Sequence, residues 1–473
     1  MSVQILLQGK ILGVEEFLLA PGGGDEALAG RAQWITLLSE VLPRALLAEL
    51  GLARILLGSS GGAQFLVVLP QEAKPAAQEF LNAAARDIER LSQGRLELLW
   101  GATENLGDWS VVRKRLNDEL QSRQGAPLAG LAPDAFQPRE DLDAAAFDDY
   151  FTQELGAKVR EAASVGWSPR TPSRIFAGEG KHTWRLTPNI SADGITLARH
   201  AAPGDDAGSP AGASTLARRA QGQPVWGVLR GDVDNFGVRL RRVNNIEEHV
   251  PLSVLYKQFF AGELEVLCSL PEFWRKITIL YSGGDDFAVY GAWDALIALA
   301  REMQRLFHRF TEENLKDYPG PEGKTISMAL ALAPPGEASL ASVYEEAGRH
   351  LALAKAADKD CIYVLGRVLE WRHLAAASDL KDTVARMLGE LGSPGQLLLE
   401  LRSMYGKVDA RFDKVWRFHR RLSLILGGGR DREFQKLRAH LAGEIAGRKA
   451  TQVKLRPSGL VALEWARLLT QES

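Results

Sequence analysis

Leu280 to Gly291 reads LYSGGDDFAVYG, and Leu57 to Leu69 reads LGSSGGAQFLVVL. Each passes from an apolar start into Ser-Gly-Gly, crosses two residues, and continues as a strand-like run that begins with Phe. Upstream, Val225 to Leu240 reads VWGVLRGDVDNFGVRL and Val3 to Phe17 reads VQILLQGKILGVEEF; both are apolar stretches that run into a glycine and a mixed turn. Gly9 to Gly61 is 52 residues, and Gly231 to Gly283 is again 52. The same neighbours at the same separation make the chain two copies of one module.

Each copy has the same coarse order. A strand ends in a Gly turn, and a helix follows, Gln33 to Leu50 in copy one and Pro251 to Leu270 in copy two. A hairpin tipped by the Gly-Gly tetrad comes next, then another helix, Trp293 to Glu313 in copy two. Thr325 to Leu332 then reads as a strand, Leu340 to Ala357 as a helix with Val343, Ala347, Leu351 and Ala354 on one stripe, and Cys361 to Leu365 as a closing strand. Helices over a largely antiparallel sheet give an α+β fold class. The domains read as 1–131, a first module; 132–223, a middle linker domain; 224–370, the second module; and 371–473, an all-helical C-terminal domain. Within the middle domain, Asp141 to Ala163 reads as helical and Ala202 to Ser214, rich in Gly, Pro and Ala, as a flexible loop.

The chain has 473 residues, 46% of them hydrophobic and 25% charged, enough for several buried cores. No apolar run approaches the roughly 18 residues of a membrane helix, and Met1 to Lys10 does not read as a signal peptide. Two cysteines, Cys268 and Cys361, cannot build a disulfide framework or a zinc site, so the expected location is the reducing cytoplasm, with no membrane partner. The net charge of −2 hides an asymmetry. Residues 371–473 carry 19 Lys and Arg against 11 Asp and Glu, on an acidic remainder. That tail reads either as a partner surface for nucleic acid or an acidic subunit, or as a solvated helical face.

Copy two has carboxylates where copy one does not. Asp232 and Asp234 end its first strand, and Asp285 and Asp286 tip its hairpin. Two residues apart on a strand, Asp232 and Asp234 are expected on one face, and the four acids are expected to converge. Clustered oxygen ligands without His or Cys suit Mg²⁺ or Mn²⁺, and two such ions about 4 Å apart serve phosphoryl displacement. Gly283 and Gly284 leave room for phosphate to approach the backbone. GGDD alone would also read as an exposed turn; GDVDNFG at the matching spacing upstream favours the site. In copy one the aligned positions are Lys10, Leu12, Ala63 and Gln64, none an acid, so one catalytic centre is expected. Ser60, Gly61 and Gly62 read either as holding a second nucleotide or as part of a structural half. Lys355 and Lys359 are candidates for a triphosphate contact, or for a snorkelling lysine and a helix-end cation. Asn235 is a sugar or base contact or a turn former, and Phe236 reads as core. No H-E-x-x-H, P-loop or G-x-S-x-G motif points to another chemistry.

GDVDNFG, YSGGDDFAVYG, TISMALAL and the helix end AKAADKD together resemble the second palm domain of the large subunit of type III CRISPR effector complexes. SSGGAQFLVVLP resembles that family's first palm, and the basic tail its C-terminal helical domain. The resemblance implies two palm domains of the ferredoxin-like, nucleotide-cyclase type, and synthesis of cyclic oligoadenylate from ATP when the complex binds target RNA. It implies Asp232, Asp285 and Asp286 as catalytic and metal-binding acids, Asp234 as the second strand acid, and Ser282, Gly283 and Gly284 as the nucleotide-binding turn. It further implies crRNA and target RNA as partners, the subunit that caps the crRNA 5′ end, and small helical subunits on the tail. Many members begin with an HD nuclease domain and carry a zinc site between the palms. Here the chain starts at the first palm and 132–223 has no cysteine, so neither DNase activity nor that zinc site is expected. The competing readings are a free-standing GGDEF-like dinucleotide cyclase and a catalytically inactive scaffold of the same complex.

Overall fold

A computed structural model describes residues 4–124, 149–188, 194–206, 209–336, 338–390, 395–406, 415–427, 431–446 and 455–470. Copy one comprises β1 (Gln4–Leu12), α1 (Val14–Leu18), α2 (Gly24–Glu49), β2 (Leu57–Gly61), β3 (Gln64–Pro70), α3 (Lys74–Leu91), β4 (Glu97–Glu104) and α4 (Trp109–Gln124). Its sheet is antiparallel, in the order β2-β3-β1-β4. α2 begins well before Gln33, because the left-handed Gly22 and Gly23 turn the chain directly into an alanine-rich run of good helix formers.

The middle segment supplies β5 (Ser164–Trp167), β6 (Ile175–Ala177), β7 (His182–Thr187), β8 (Gly194–Thr196) and α5 (Ala213–Arg218). The four strands form a separate sheet. The helix expected over Asp141 to Ala163 is described only from residue 149, where Tyr150–Lys158 winds as a π-helical segment against α2. Trp34 and Phe17 meet Phe151 there edge to face, at 5.3 and 5.6 Å. Ala202 to Ser214 corrects the expectation of a flexible loop. Apart from 207–208, outside the described residues, it is a closed turn in which Gly204 N donates to Ser209 O and Ala211 N to Ala202 O. Both of those alanines are buried; small side chains there serve packing.

Copy two comprises β9 (Trp226–Val233), α6 (Phe236–Arg241), α7 (Ile246–Lys257), α8 (Leu264–Cys268), β10 (Ile277–Ser282), β11 (Asp286–Ala292), α9 (Trp293–Asn314), β12 (Ile326–Leu332), α10 (Leu340–Ala357), β13 (Cys361–Val364) and β14 (Arg367–Glu370). The order β10-β11-β9-β12 repeats that of copy one, and β13 and β14 extend the edge. α7 starts at Ile246 instead of Pro251 because Asn245 caps it, its side chain accepting from Glu248 N.

Alternation along the strands divides the apolar residues between two cores. Leu229, Phe287, Val289 and Met328 pack with Phe260, Met303 and Phe307. Val228, Leu280, Ala288 and Ala331, from the opposite face of the same sheet, pack with Leu37, Leu38 and Trp34 of copy one. The two modules are therefore joined through a common apolar interior. α11 (Trp371–Gly389), α12 (Gln396–Gly406), α13 (Val415–Ile425), α14 (Arg432–Ala446) and α15 (Pro457–Leu469) follow, and Leu374, Leu401, Leu441 and Val461 extend the core of copy two. Mixed helix and sheet bear out the α+β reading. Among the described residues, no helix is long and apolar enough to cross a membrane.

Candidate active site

The register of the two sheets builds the site. In copy two Asp286 lies opposite Asp232 and Phe287 opposite Gly231. In copy one Gln64 lies opposite Lys10 and Phe65 opposite Gly9. The glycine is structural in both: a Cβ on Gly231 would stand 2.3 Å from the Phe287 ring, and one on Gly9 2.2 Å from the Phe65 ring. The ring crosses the neighbouring strand there and fixes the hairpin, so the next pair along faces outward. That pair is Asp232 with Asp286 in copy two and Lys10 with Gln64 in copy one. The acids of the first are absent from the second, as the sequence alignment has it.

At the tip, Gly283 N donates to Asp286 O, and a Cβ on Gly283 would fall 2.1 Å from Asp286 Oδ1. Only glycine admits the carboxylate in that place. Gly61 and Gly62 of copy one have φ of 123° and 59°. Their Cβ positions lie 3.8 and 3.5 Å from Gly284 N, so the two Gly-Gly turns abut. A cavity of about 320 Å³ opens on one side of this contact, bounded by Asp232, Asp285, Asp286, Arg230, Tyr281 and α2. A second, of about 200 Å³, opens on the other side between Ser60–Gly62 and Trp109, Phe236 and His249.

The electrostatics single out three acids. Burial raises the proton affinity of Asp285, and the charges of Asp286 and Asp232 raise it further. Asp286 is raised by burial and by Asp232, against the hydrogen bond its Oδ2 accepts from Tyr281 Oη at 3.0 Å. Asp232 is raised by burial, and Lys355, ion-paired to it, opposes this. Lys355 thus stands where a cation is wanted. Mutual repulsion relieved by a cation is the chemistry of a hard-metal site, and the donor set fits Mg²⁺ or Mn²⁺. The acids do not make a ready ligand group: among the described residues no three His, Cys, Asp or Glu side chains are so gathered.

Asp234 departs from the expected convergence. It lies beyond the end of β9 and is 1% exposed. Its carboxylate accepts from Ser327 Oγ and Thr325 Oγ1 at 2.8 Å and from Asp360 N at 2.9 Å. Three protein donors occupy it, so it ties β9 to β12 and to the start of β13 in place of presenting ligand oxygens. Asp234→Ala leaves those buried donors unpaired and is expected to cost about 3 kcal/mol, read from the denaturation midpoint.

Other expected residues also have partners in the fold. Ser282 Oγ donates to Phe260 O at 2.6 Å, inside the core and away from the cavity. Asn235, at φ 58°, starts α6, and its Oδ1 accepts from Lys359 Nζ at 2.5 Å. Asn235 and Lys359 therefore clasp one another across the strand ends. Ser60 lines the second cavity, and its Oγ donates to Glu40 Oε2 at 3.0 Å. Glu40, Lys257, Arg230, Tyr281, Tyr344 and His249 were not legible as site residues. None belongs to a motif the sequence marks, and only the pairing of the two modules gives it meaning.

His249 also yields a pH prediction. Burial, with Arg113 beside it, depresses its pKa to about 4. The unfolded chain takes up this proton below about pH 6.5 and the folded chain only near pH 4, so stability falls as pH drops through that window. The loss from His249 between pH 7 and pH 5 is about 2 kcal/mol. His249→Gln is expected to lack it, measured by urea denaturation at both pH values.

With the geometry described, comparison with known proteins adds kinship. Residues 225–363 match the family Cas10/Cmr2, second palm domain. The CRISPR system single-strand-specific deoxyribonuclease Cas10/Csm1 (subtype III-A) of Mycobacterium tuberculosis is 33% identical over 136 residues, 25% of this chain and 16% of that protein. Its counterpart from Thermococcus onnurineus is 25% identical over 504 residues, 85% of this chain and 62% of that protein. The chain thus spans less than two thirds of the length of these relatives. Among solved structures, the apo Csm1–Csm4 cassette gives a TM-score of 0.74 at 19% identity, covering 99% of this chain and 70% of that one. The same cassette in complex with one ATP, and with cA4, gives 0.72 at 18% identity with the same coverage.

Proposed function

Because the chain carries a Cas10/Cmr2-type second palm and is related to the large subunits of type III CRISPR effector complexes, we propose that it joins ATP into a cyclic oligoadenylate. The observation that carries this reading is the trio Asp232, Asp285 and Asp286, all raised in proton affinity, at the point where two Gly-Gly turns abut. Copy one has Lys10 and Gln64 in the equivalent places, so it does not repeat this centre.

One nucleotide occupies the cavity beside the acids, and the other occupies the chamber across the paired turns. Asp232, Asp285 and Asp286 would hold Mg²⁺ or Mn²⁺, which when bound would supply charge neutralisation of the triphosphate and activation of the attacking hydroxyl. Lys355 then leaves Asp232 and serves as a point charge for phosphate. Tyr281 holds Asp286 through its hydroxyl, and Gly284, where a Cβ would meet nothing within 4 Å, lets the α-phosphate approach the turn. A ribose hydroxyl oxygen bonds to the α-phosphorus, the bond to the β-phosphate breaks, pyrophosphate departs and the hydroxyl proton passes to solvent. Repetition and closure give the ring. The choice of adenine rests on the kinship and on the ATP and cA4 complexes of the Csm1–Csm4 cassette.

We assign crRNA and target RNA as activating partners, small helical subunits to the basic tail, and a 5′-capping subunit to the complex. The test purifies the chain with its co-expressed subunits and crRNA, then supplies labelled ATP or GTP with and without target RNA. Adenylate product only with target RNA supports the reading. Product from GTP without RNA indicates a free-standing dinucleotide cyclase, and silence with both nucleotides a scaffold.

A further inference from the structure

Next to the chamber between the modules lies a cavity of about 490 Å³ on the outer side of the copy-one hairpin. Its wall is cationic: Arg44 from α2, Arg54 and, from copy two, Lys257 all line it, and among the described residues no carboxylate does. Glu40, one helical turn before Arg44 and only 2% exposed, is the internal counter-ion. Its Oε2 accepts from Arg44 Nη1 at 2.8 Å, from Lys257 Nζ at 2.5 Å and from Ser60 Oγ at 3.0 Å. One carboxylate therefore serves two nearly buried cations, each facing the cavity. Arg44 and Arg54 also repel the Lys257 charge, an arrangement that costs stability on its own and is offset by an anion.

The hydroxyls of Ser59, Ser60 and Ser253 line the same cavity, beside two guanidinium forks and an ammonium. Many donors around a volume far larger than one carboxylate suit phosphate oxygens. Ser59, Ser60 and Ser253 line the neighbouring chamber as well, so the two spaces share a wall.

We propose that this cavity binds an oligophosphate group. Its source rests on the nucleotide reading above: either the 5′-triphosphate of the nucleotide or nascent oligonucleotide in the adjoining chamber, or the pyrophosphate released by joining. The site lies across the hairpin from the metal-binding acids and needs no metal.

Isothermal titration of the full chain with sodium tripolyphosphate and with pyrophosphate, in chelator, tests it. Micromolar binding is expected. Arg54→Gln should weaken it about tenfold, as should Lys257→Met, which leaves Glu40 paired with Arg44. Asp285→Asn/Asp286→Asn should leave it unchanged, so failure of nucleotide joining and failure of this site are separately visible. Tighter binding of tripolyphosphate assigns the nucleotide as source; tighter binding of pyrophosphate assigns the leaving group. Absence of binding, equal binding by wild type and both cation variants, or its loss in the Asp285/Asp286 variant overturns the proposal.

Discussion

Asparagine at both Asp285 and Asp286 is expected to reduce nucleotide joining by about a thousandfold or more while leaving the fold intact. The first part follows from the loss of charge that would hold the metals, a contribution of several kcal/mol to the barrier. The second follows from the electrostatics. Both acids bind a proton more tightly in the folded chain than the ordinary carboxylate does, through burial, the charge of Asp232 and, for Asp285, that of Asp286 as well. The folded state thus holds more protons than the unfolded one above about pH 4, and stability falls as pH rises through the raised pKa values. The melting temperature of the wild-type chain in chelator should drop between pH 5 and pH 8, and Mn²⁺ should restore it. In the asparagine variant both responses should be small. Thermal melts with and without Mn²⁺ check this independently of turnover.

The second large effect concerns the join between the modules. Lys257→Met alone strips Glu40 of its partner from copy two and leaves a carboxylate, 2% exposed, with Arg44 and Ser60. Glu40 stays paired with Arg44, so the loss is that of one charge-assisted hydrogen bond, about 1.5–3 kcal/mol. Glu40→Gln leaves both Arg44 and Lys257 without their counter-ion and should cost about 3–5 kcal/mol; adding Lys257→Met removes one of the two stranded cations and should recover part of that loss. Urea midpoints for the two single variants and the double variant form the cycle. Because Lys257 Nζ also donates to Ser60 Oγ at 3.2 Å, Lys257→Met should also loosen the copy-one turn against Gly284.

Much of this was legible in the sequence because the repeat preserves its register. The 52-residue spacing placed Lys10 and Gln64 against Asp232 and Asp286, and the strand pairings agree residue by residue. Asp234 was misplaced for a local reason: the two-residue alternation holds only within a strand, and β9 ends at Val233 before the left-handed Asn235 turns the chain. Ser282 is on a strand face that points to Phe260, which the tetrad alone does not reveal. Glu40 and Lys257 are 217 residues apart, and each reads alone as a stray charge in an apolar helix. Such pairs are set by how the modules dock, and no periodicity carries that information. The loop Ala202 to Ser214 was misread because small residues serve flexibility and close packing alike.

The most direct test of the central reading is the product of labelled ATP made by the crRNA-bound complex with Mn²⁺ and target RNA. Mass spectrometry should find rings of AMP units without terminal phosphates, with one pyrophosphate released per unit and no rings from the Asp285→Asn/Asp286→Asn complex. Unchanged ATP in an RNA-bound wild-type complex, or rings still made by that variant, would contradict the assignment of synthesis to the acids of copy two.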